Sequence, residues 1–259
     1  MMETSLSLNQ EQQVYRFEAL NKNKAVAHVI TTRNSFTIPD FNLSFHTGAE
    51  EQVLQNRKIL QHFFNGASLT IPKQCHGIKV VQITKDNNTE QPLDTDALVT
   101  NVPGLVIGVL SADCVPILFY DPIKQVLGAA HAGWKGTVAN IVEATLKKMQ
   151  AAYDCRSSDI QAYIGPSISI PHFEVGEEVA NQFETLDLNN CIQRPTVGSK
   201  PHIDLWLANQ FLLRRAGVKD SNIHVAGMCT YDHTNELYSA RKEGFQTGRF
   251  GAFIMLAKG

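Results

Sequence analysis

The chain is expected to fold as a single α+β domain, with mixed β-sheets flanked by helices, and three observations predict this. Its 259 residues, 43% hydrophobic and 19% charged, are enough to bury one large core. The middle of the chain carries five short β-rich runs, set too close together for helical crossovers between them. No internal repeat, low-complexity tract or Pro/Gly/Ser linker divides the remainder, so residues 1–259 read as one unit with 1–20 at its periphery.

The elements follow in order. A strand is expected over residues 25–31 and a helix over 50–64. Val53, Leu54, Ile59, Leu60, Phe63 and Phe64 supply the apolar positions of that helix. The β-dense region gives strands over 78–84, 96–100, 105–110, 115–120 and 125–130, rich in β-branched and aromatic residues. Asp121-Pro122 marks a tight turn between the last two. A helix over 138–149 follows, with Thr137 as its N-cap. A strand over 160–164 stops at Gly165-Pro166. Helices over 177–185 and 205–216 and strands over 222–226 and 252–256 complete the order.

Composition narrows the function classes. A formal net charge of −2 offers no basic excess for a polyanion, which argues against nucleic acid as a partner. The most apolar stretch, 105–120, is broken by Ser111, Asp113 and Pro116 and is too short to span a bilayer. Residues 1–13 are polar and lack the basic-then-apolar layout of a secretory signal. The five cysteines (75, 114, 155, 191 and 229) are odd in number and widely spaced. That pattern argues against a disulfide framework and for a reducing, cytoplasmic setting.

Two strings carry chemistry: Ser111-Ala112-Asp113-Cys114-Val115-Pro116, and Ala130-His131-Ala132-Gly133-Trp134-Lys135-Gly136-Thr137. A free cysteine is commonly a small buried hydrophobe. Here a charge precedes Cys114 and Pro116 closely follows it, which suggests the rim of a strand. If 115–120 and 125–130 pair antiparallel, Cys114 and His131 become neighbours across the ladder. The two chemistries open to such a pair are a thiolate nucleophile with its base, or two ligands of a metal. The glycines after His131 permit tight backbone, and the loop feeds a helix start near Lys135, a natural anion site. His76, in Lys73-Gln74-Cys75-His76-Gly77, would complete a His/Cys/His set with one open position, the arrangement of a catalytic zinc site. Cys75 is not expected to join it, because adjacent residues of a strand point to opposite faces.

Taken in order, these strings resemble the family variously called YfiH-type, DUF152 or polyphenol oxidase/laccase-domain purine nucleoside phosphorylases. The likeness runs from Thr31 to Phe250. It includes Asn42-Leu43-Ser44, Asn56-Arg57, Gln74-Cys75-His76-Gly77, Ala112-Asp113-Cys114-Val115-Pro116, His131-Ala132-Gly133-Trp134-Lys135-Gly136, Gly165-Pro166-Ser167-Ile168 and Ser239-Ala240-Arg241-Lys242. The resemblance implies a fold related to a cysteine-dependent deamidase toxin domain. It implies Zn²⁺ held by His76, Cys114 and His131, which also serve catalysis, with copper a poorer expectation. It implies phosphorolysis of adenosine, inosine, guanosine and methylthioadenosine by inorganic phosphate, with adenosine deamination besides. Asn42, Arg57, Lys135 and Arg241 are the expected substrate contacts. Asp96 and Asp113 are candidates for the general acid. The short segment 34–41, Ser167-Ile168-Ser169 and Ser239-Ala240-Arg241-Lys242 depart from the usual family pattern, which bears on substrate choice rather than on the triad.

Three other readings stay open at this level. One is a metal-free Cys114–His131 hydrolase. The second is a copper oxidase, whose multicopper form wants more clustered histidines than a chain without His-x-His offers. The third is a zinc-stabilised scaffold with Cys229 or Cys75 as a fourth ligand. Oligomeric state is not written in the sequence.

Overall fold

The structure is a computed structural model, and it describes residues 5–88, 91–196 and 198–258. In chain order come β1 (Leu6–Asn9), β2 (Val14–Phe17), α1 (Glu18–Asn21), β3 (Val26–Ile30), α2 (Glu50–Phe63), β4 (Ser68–Thr70), β5 (Val80–Gln82) and β6 (Ala97–Thr100). The long central strands are β7 (Leu105–Ser111), β8 (Val115–Asp121) and β9 (Val126–Ala132). Then follow α3 (Trp134–Val138), α4 (Ile141–Tyr153), β10 (Gln161–Ile164), α5 (Glu177–Glu184), β11 (Ile192–Gln193), β12 (His202–Ile203), α6 (Leu205–Arg215), β13 (Ile223–Val225), α7 (Ala240–Glu243) and β14 (Phe250–Leu256).

Two six-stranded sheets result, ordered β1-β2-β3-β14-β7-β4 and β13-β10-β8-β9-β6-β5. Both mix parallel and antiparallel pairs, as the α+β expectation requires. The period-2 rule explains how they stack. Ile107 and Val109 of β7 and Ala252 and Ile254 of β14 share one buried cluster with Leu118 and Tyr120 of β8 and Leu127 and Ala129 of β9. The intervening residues Val106, Leu110, Phe253 and Met255 face away, onto Leu60 and Phe64 at the end of α2. On the second sheet Ile117, Phe119 and Ala130 turn outward onto Leu146 and Met149 of α4 and Leu212 of α6. Helices therefore cover both outer faces of a sandwich. Its central strands are buried on both sides, which is why they read as unbroken apolar runs.

Four expectations need correction. Residues 6–20 are not peripheral: β1 and β2 extend the first sheet, and Val14, Phe17 and Leu20 are fully buried. The helix expected over 138–149 is two helices. Thr137 lies inside the first, where its Oγ1 accepts from Asn209 Nδ2 at 3.2 Å. The N-cap of α4 is Asn140, in left-handed backbone, whose side chain accepts from the Glu143 amide while donating to its carboxylate. On α2, Leu54 is 45% exposed whereas Asn56 is fully buried. The inward stripe runs Val53, Asn56, Leu60, and Asn56 is tolerated there because its Nδ2 donates to the Asn42 carbonyl at 2.9 Å. The strand expected over 78–84 shortens to β5, because the segment before it belongs to the loop carrying His76.

The Asp121-Pro122 turn forms as expected, with Asp121 Oδ1 accepting the amides of Ile123 and Lys124. No helix among the described residues is long and apolar enough to cross a membrane.

Candidate metal centre

The β7–β8 turn carries the chain from the first sheet to the second, and Cys114 sits in it. Asp113, just before, has a φ of 98°, which an L-residue adopts only under restraint. Two bonds restrain it: Thr230 Oγ1 donates to Asp113 Oδ1, and the Arg241 amide to Oδ2, each at 2.6 Å. Ser111 Oγ donates to the Cys114 carbonyl at 2.5 Å and closes the turn. β8 and β9 pair antiparallel with Val115 opposite Ala132 and Pro116 opposite His131. The hairpin register therefore does bring Cys114 beside His131.

His76 arrives from the loop between β4 and β5, itself in left-handed backbone with a φ of 64°. Gln74 fastens that loop to β7, donating to the Leu110 carbonyl at 2.9 Å and accepting the Leu110 amide at 2.8 Å. Asp96 fastens it to the second sheet. Its buried carboxylate accepts the amides of Cys75, His76 and Gly77 at 3.2, 3.0 and 2.7 Å. It also accepts the Cys75 thiol at 3.2 Å, and bonds His131 Nδ1 at 2.8 Å.

The ligating atoms of His76, Cys114 and His131 lie within 4.8 Å of one another. The two imidazoles meet edge to face at 4.8 Å between centroids. Gly133 makes this approach possible: a Cβ there would stand 2.8 Å from the Cys114 sulfur and 3.0 Å from the His76 ring.

Electrostatics follow from the packing. Burial pushes the Cys114 thiol up, but the charge and hydrogen bonds of His131, with help from His76, outweigh it and bring it down to about 6. Burial pulls His131 down, and the Cys114 and Asp96 charges and hydrogen bonds reverse this, raising it to about 9. Burial alone would raise Asp96; its bonds to His131 and the Gly77 amide carry it to about 2. At that value Asp96 is ionised at neutral pH.

The donor set suits zinc. One sulfur and two imidazole nitrogens are ligands this ion takes, and a carboxylate behind a ligating histidine fixes its tautomer so that Nε2 is the free nitrogen. Among the described residues the cluster gathers three ligands, not four. Cys75 is turned to Asp96, and Cys229 lies in a different cluster, so neither closes the site.

The expected substrate contacts are placed differently from one another. Lys135 is exposed on α3, its Nζ 5.6 Å from the Trp134 ring. That helix begins after Gly133, not after Gly136 as expected. Arg241 donates its amide to Asp113 and Nη1 to the His172 carbonyl. Arg57 grips the Leu43 carbonyl with Nε and Nη2 at 3.0 and 2.8 Å and lies over the Phe45 ring. Asn42 braces the same loop: its Oδ1 accepts the amides of Ser44 and Arg249. Sequence reasoning missed Arg249, and it quoted Gln74 only as part of the string that carries His76. Burial pushes the Arg249 guanidinium down, while the charges of Cys114 and Asp113 pull it back up. The place of Arg249 in Gly248-Arg249, entering β14, was the available signal.

Comparison with known proteins agrees with this architecture. Residues 27–257 match the family described as multi-copper polyphenol oxidoreductase laccase. The chain is 35% identical over 269 residues to a purine nucleoside phosphorylase of Bacteroides thetaiotaomicron, covering 98% of this chain and 100% of that one. It is 38% identical over 194 residues to adenosine deaminase RL5 of an unknown prokaryotic organism, covering 70% of this chain and 72% of that one. The crystal structure of YlmD from Geobacillus stearothermophilus superposes with a TM-score of 0.90 at 25% identity, covering 99% of this chain and 100% of that one. The chain belongs to the polyphenol oxidoreductase laccase family.

Proposed function

We propose that this family member is a zinc-dependent purine nucleoside phosphorylase. In this reading it converts adenosine, inosine, guanosine or methylthioadenosine, with phosphate, to the free base and the sugar 1-phosphate, and it also deaminates adenosine. The observation that carries the reading is the three-ligand set His76, Cys114 and His131, backed by Asp96. Relatives named purine nucleoside phosphorylase and adenosine deaminase support the substrate class. Bound zinc would supply a Lewis-acid position able to lower the pKa of a bound water toward about 7.

The chain's own residues do the rest. Asp96 holds Nδ1 of His131 and aims Nε2 toward the Cys114 sulfur. Asp113 has both carboxylate oxygens engaged, so it orients the turn rather than supplying a proton. Phosphorolysis requires an anion held against the anomeric carbon; Lys135, Arg241 and Arg249 are the cations offered for it. Asn42 and Arg57 act one step back, by fixing the loop that holds the Arg249 amide. Five free cysteines fit the proposed cytoplasmic setting.

Purified protein given adenosine and phosphate should release adenine and ribose 1-phosphate, and given adenosine alone should release inosine and ammonia. Cys114→Ser and His131→Ala should abolish both. Undiminished turnover by fully metal-depleted protein would overturn the zinc reading.

A second reading has one observation in its favour. The lowered Cys114 thiol beside a raised His131 is also what a metal-free thiolate nucleophile needs. His76 separates the two. In the hydrolase reading His76→Ala keeps its activity and iodoacetamide labels Cys114 whether or not zinc is present. In the zinc reading His76→Ala is inactive and zinc protects the thiol.

A further inference from the structure

Beyond the triad, His172, Cys229 and Asp232 bring a nitrogen, a sulfur and a carboxylate oxygen within 4.8 Å of one another. His172 Nε2 and Asp232 Oδ1 are already 2.8 Å apart. Cys229 is buried, and its sulfur accepts two hydrogen bonds from Ser169, from the amide at 3.4 Å and from Oγ at 3.0 Å. Two donors aimed at one sulfur are the outer support a ligating cysteine needs.

Each member is also held from behind. The His172 ring lies face to face with Tyr231 at 4.1 Å and 12°, and its carbonyl accepts from Arg241 Nη1 at 2.9 Å. The Cys229 carbonyl accepts both the amide and Nδ1 of His233. An isolated β-bridge joins Cys229 to Ser167. The Asp232 side chain is 51% exposed, which leaves the cluster an entry and an open position on the solvent side.

We propose that His172, Cys229 and Asp232 form a second binding site, for a divalent cation of borderline softness such as Zn²⁺ or Co²⁺. The mixed N/S/O donor set selects that class over Mg²⁺ or Ca²⁺, which take oxygen ligands. Tetrahedral coordination asks for N···O of roughly 3.3 Å, so the His172–Asp232 pair opens by about half an ångström to admit the ion. The site is a three-point tie between the 169–173 and 229–232 segments. It sits one residue from Thr230, and Thr230 and Arg241 together hold Asp113, next to Cys114. Its existence does not depend on the activity proposed for the triad.

The test counts zinc. The full chain as purified, and its variants, are dialysed to equilibrium against buffered Zn²⁺, and bound metal per chain is measured by plasma mass spectrometry. Cys229→Ser should bind one zinc fewer than the parent, whereas Cys114→Ser should keep the ion that Cys229→Ser loses. Asp232→Asn changes a half-exposed side chain, so its fold is not at stake, and it should weaken that same ion by at least about tenfold. The proposal fails if both Cys229→Ser and Asp232→Asn bind as much zinc as the parent at every concentration. If Cys229→Ser does not fold, Asp232→Asn carries the decision alone. A chain whose only zinc disappears with Cys114→Ser and persists in Asp232→Asn also overturns it.

Discussion

His131 and His28 lie on strands of opposite sheets and are equally buried, each 3% exposed, yet they are driven in opposite directions. Burial disfavours the charged imidazole of both. His28 meets a donor: the Phe17 amide donates a hydrogen bond to His28 Nε2 at 2.8 Å. Burial and the nearby Arg16 charge then bring it down to about 3. His131 meets acceptors, with Asp96 on Nδ1 and the Cys114 sulfur on the other side, and rises to about 9. The partner rather than the depth decides whether a core histidine is a fixed part of a sheet or a group able to do chemistry.

Asp96→Asn would do most to break this contrast. Removing the charge behind His131 should lower metal affinity by about 10–100-fold, read by competition with a chromophoric chelator. An unchanged affinity would mean that the carboxylate serves only to hold the loop amides.

A second effect is expected from His28. Its folded pKa lies below its unfolded value of 6.5. The unfolded chain therefore binds the extra proton between about 6.5 and about 3, so the neutral His28 contributes stability fully above 6.5 and loses it as pH falls toward 3. His28→Gln can still accept the Phe17 amide and removes the titration. Denaturant melts over that range should lose up to about 1.4 kcal/mol per pH unit of slope relative to the parent. An identical slope in the two proteins would show that His28 is not the titrating group.

The smallest effect belongs to Arg16→Gln. Removing this second cause of the His28 depression should move the His28 titration midpoint slightly upward in an NMR titration, with burial still keeping it low. A midpoint that moved down would show that the Arg16 charge is not one of its causes.

How legible these features were depends on the distance over which each is decided. The strands β7, β8 and β9 were plain because a strand buried on both faces needs no partner to look apolar. Cys114 and His131 could be paired because one short turn sets their register. His76 could be named as a third ligand only by residue type, and the family resemblance strengthened it, since its loop has no register to count from. Asp96 was visible as a carboxylate but not as the support of His131, which lies 35 positions away. Gln74 and Leu110 are 36 positions apart and met only in the fold. The Thr137 and Leu54 expectations failed for local reasons. A left-handed Asn140 restarts the helix, and one satisfied amide, Asn56, outcompetes a leucine for the inward stripe.

The tie from Gln74 to Leu110 has a mechanical consequence. His76 is anchored to the first sheet through that tie and to the second through Asp96, while Cys114 sits where the chain passes from one to the other. The triad therefore works as a gauge of the spacing between the sheets. A small slip of one sheet over the other, as from a cavity cut at Leu118 in the layer between them, shifts His76 against the sulfur before either sheet loses a strand. In this protein the metal-binding geometry would register core damage earlier than the melting curve does.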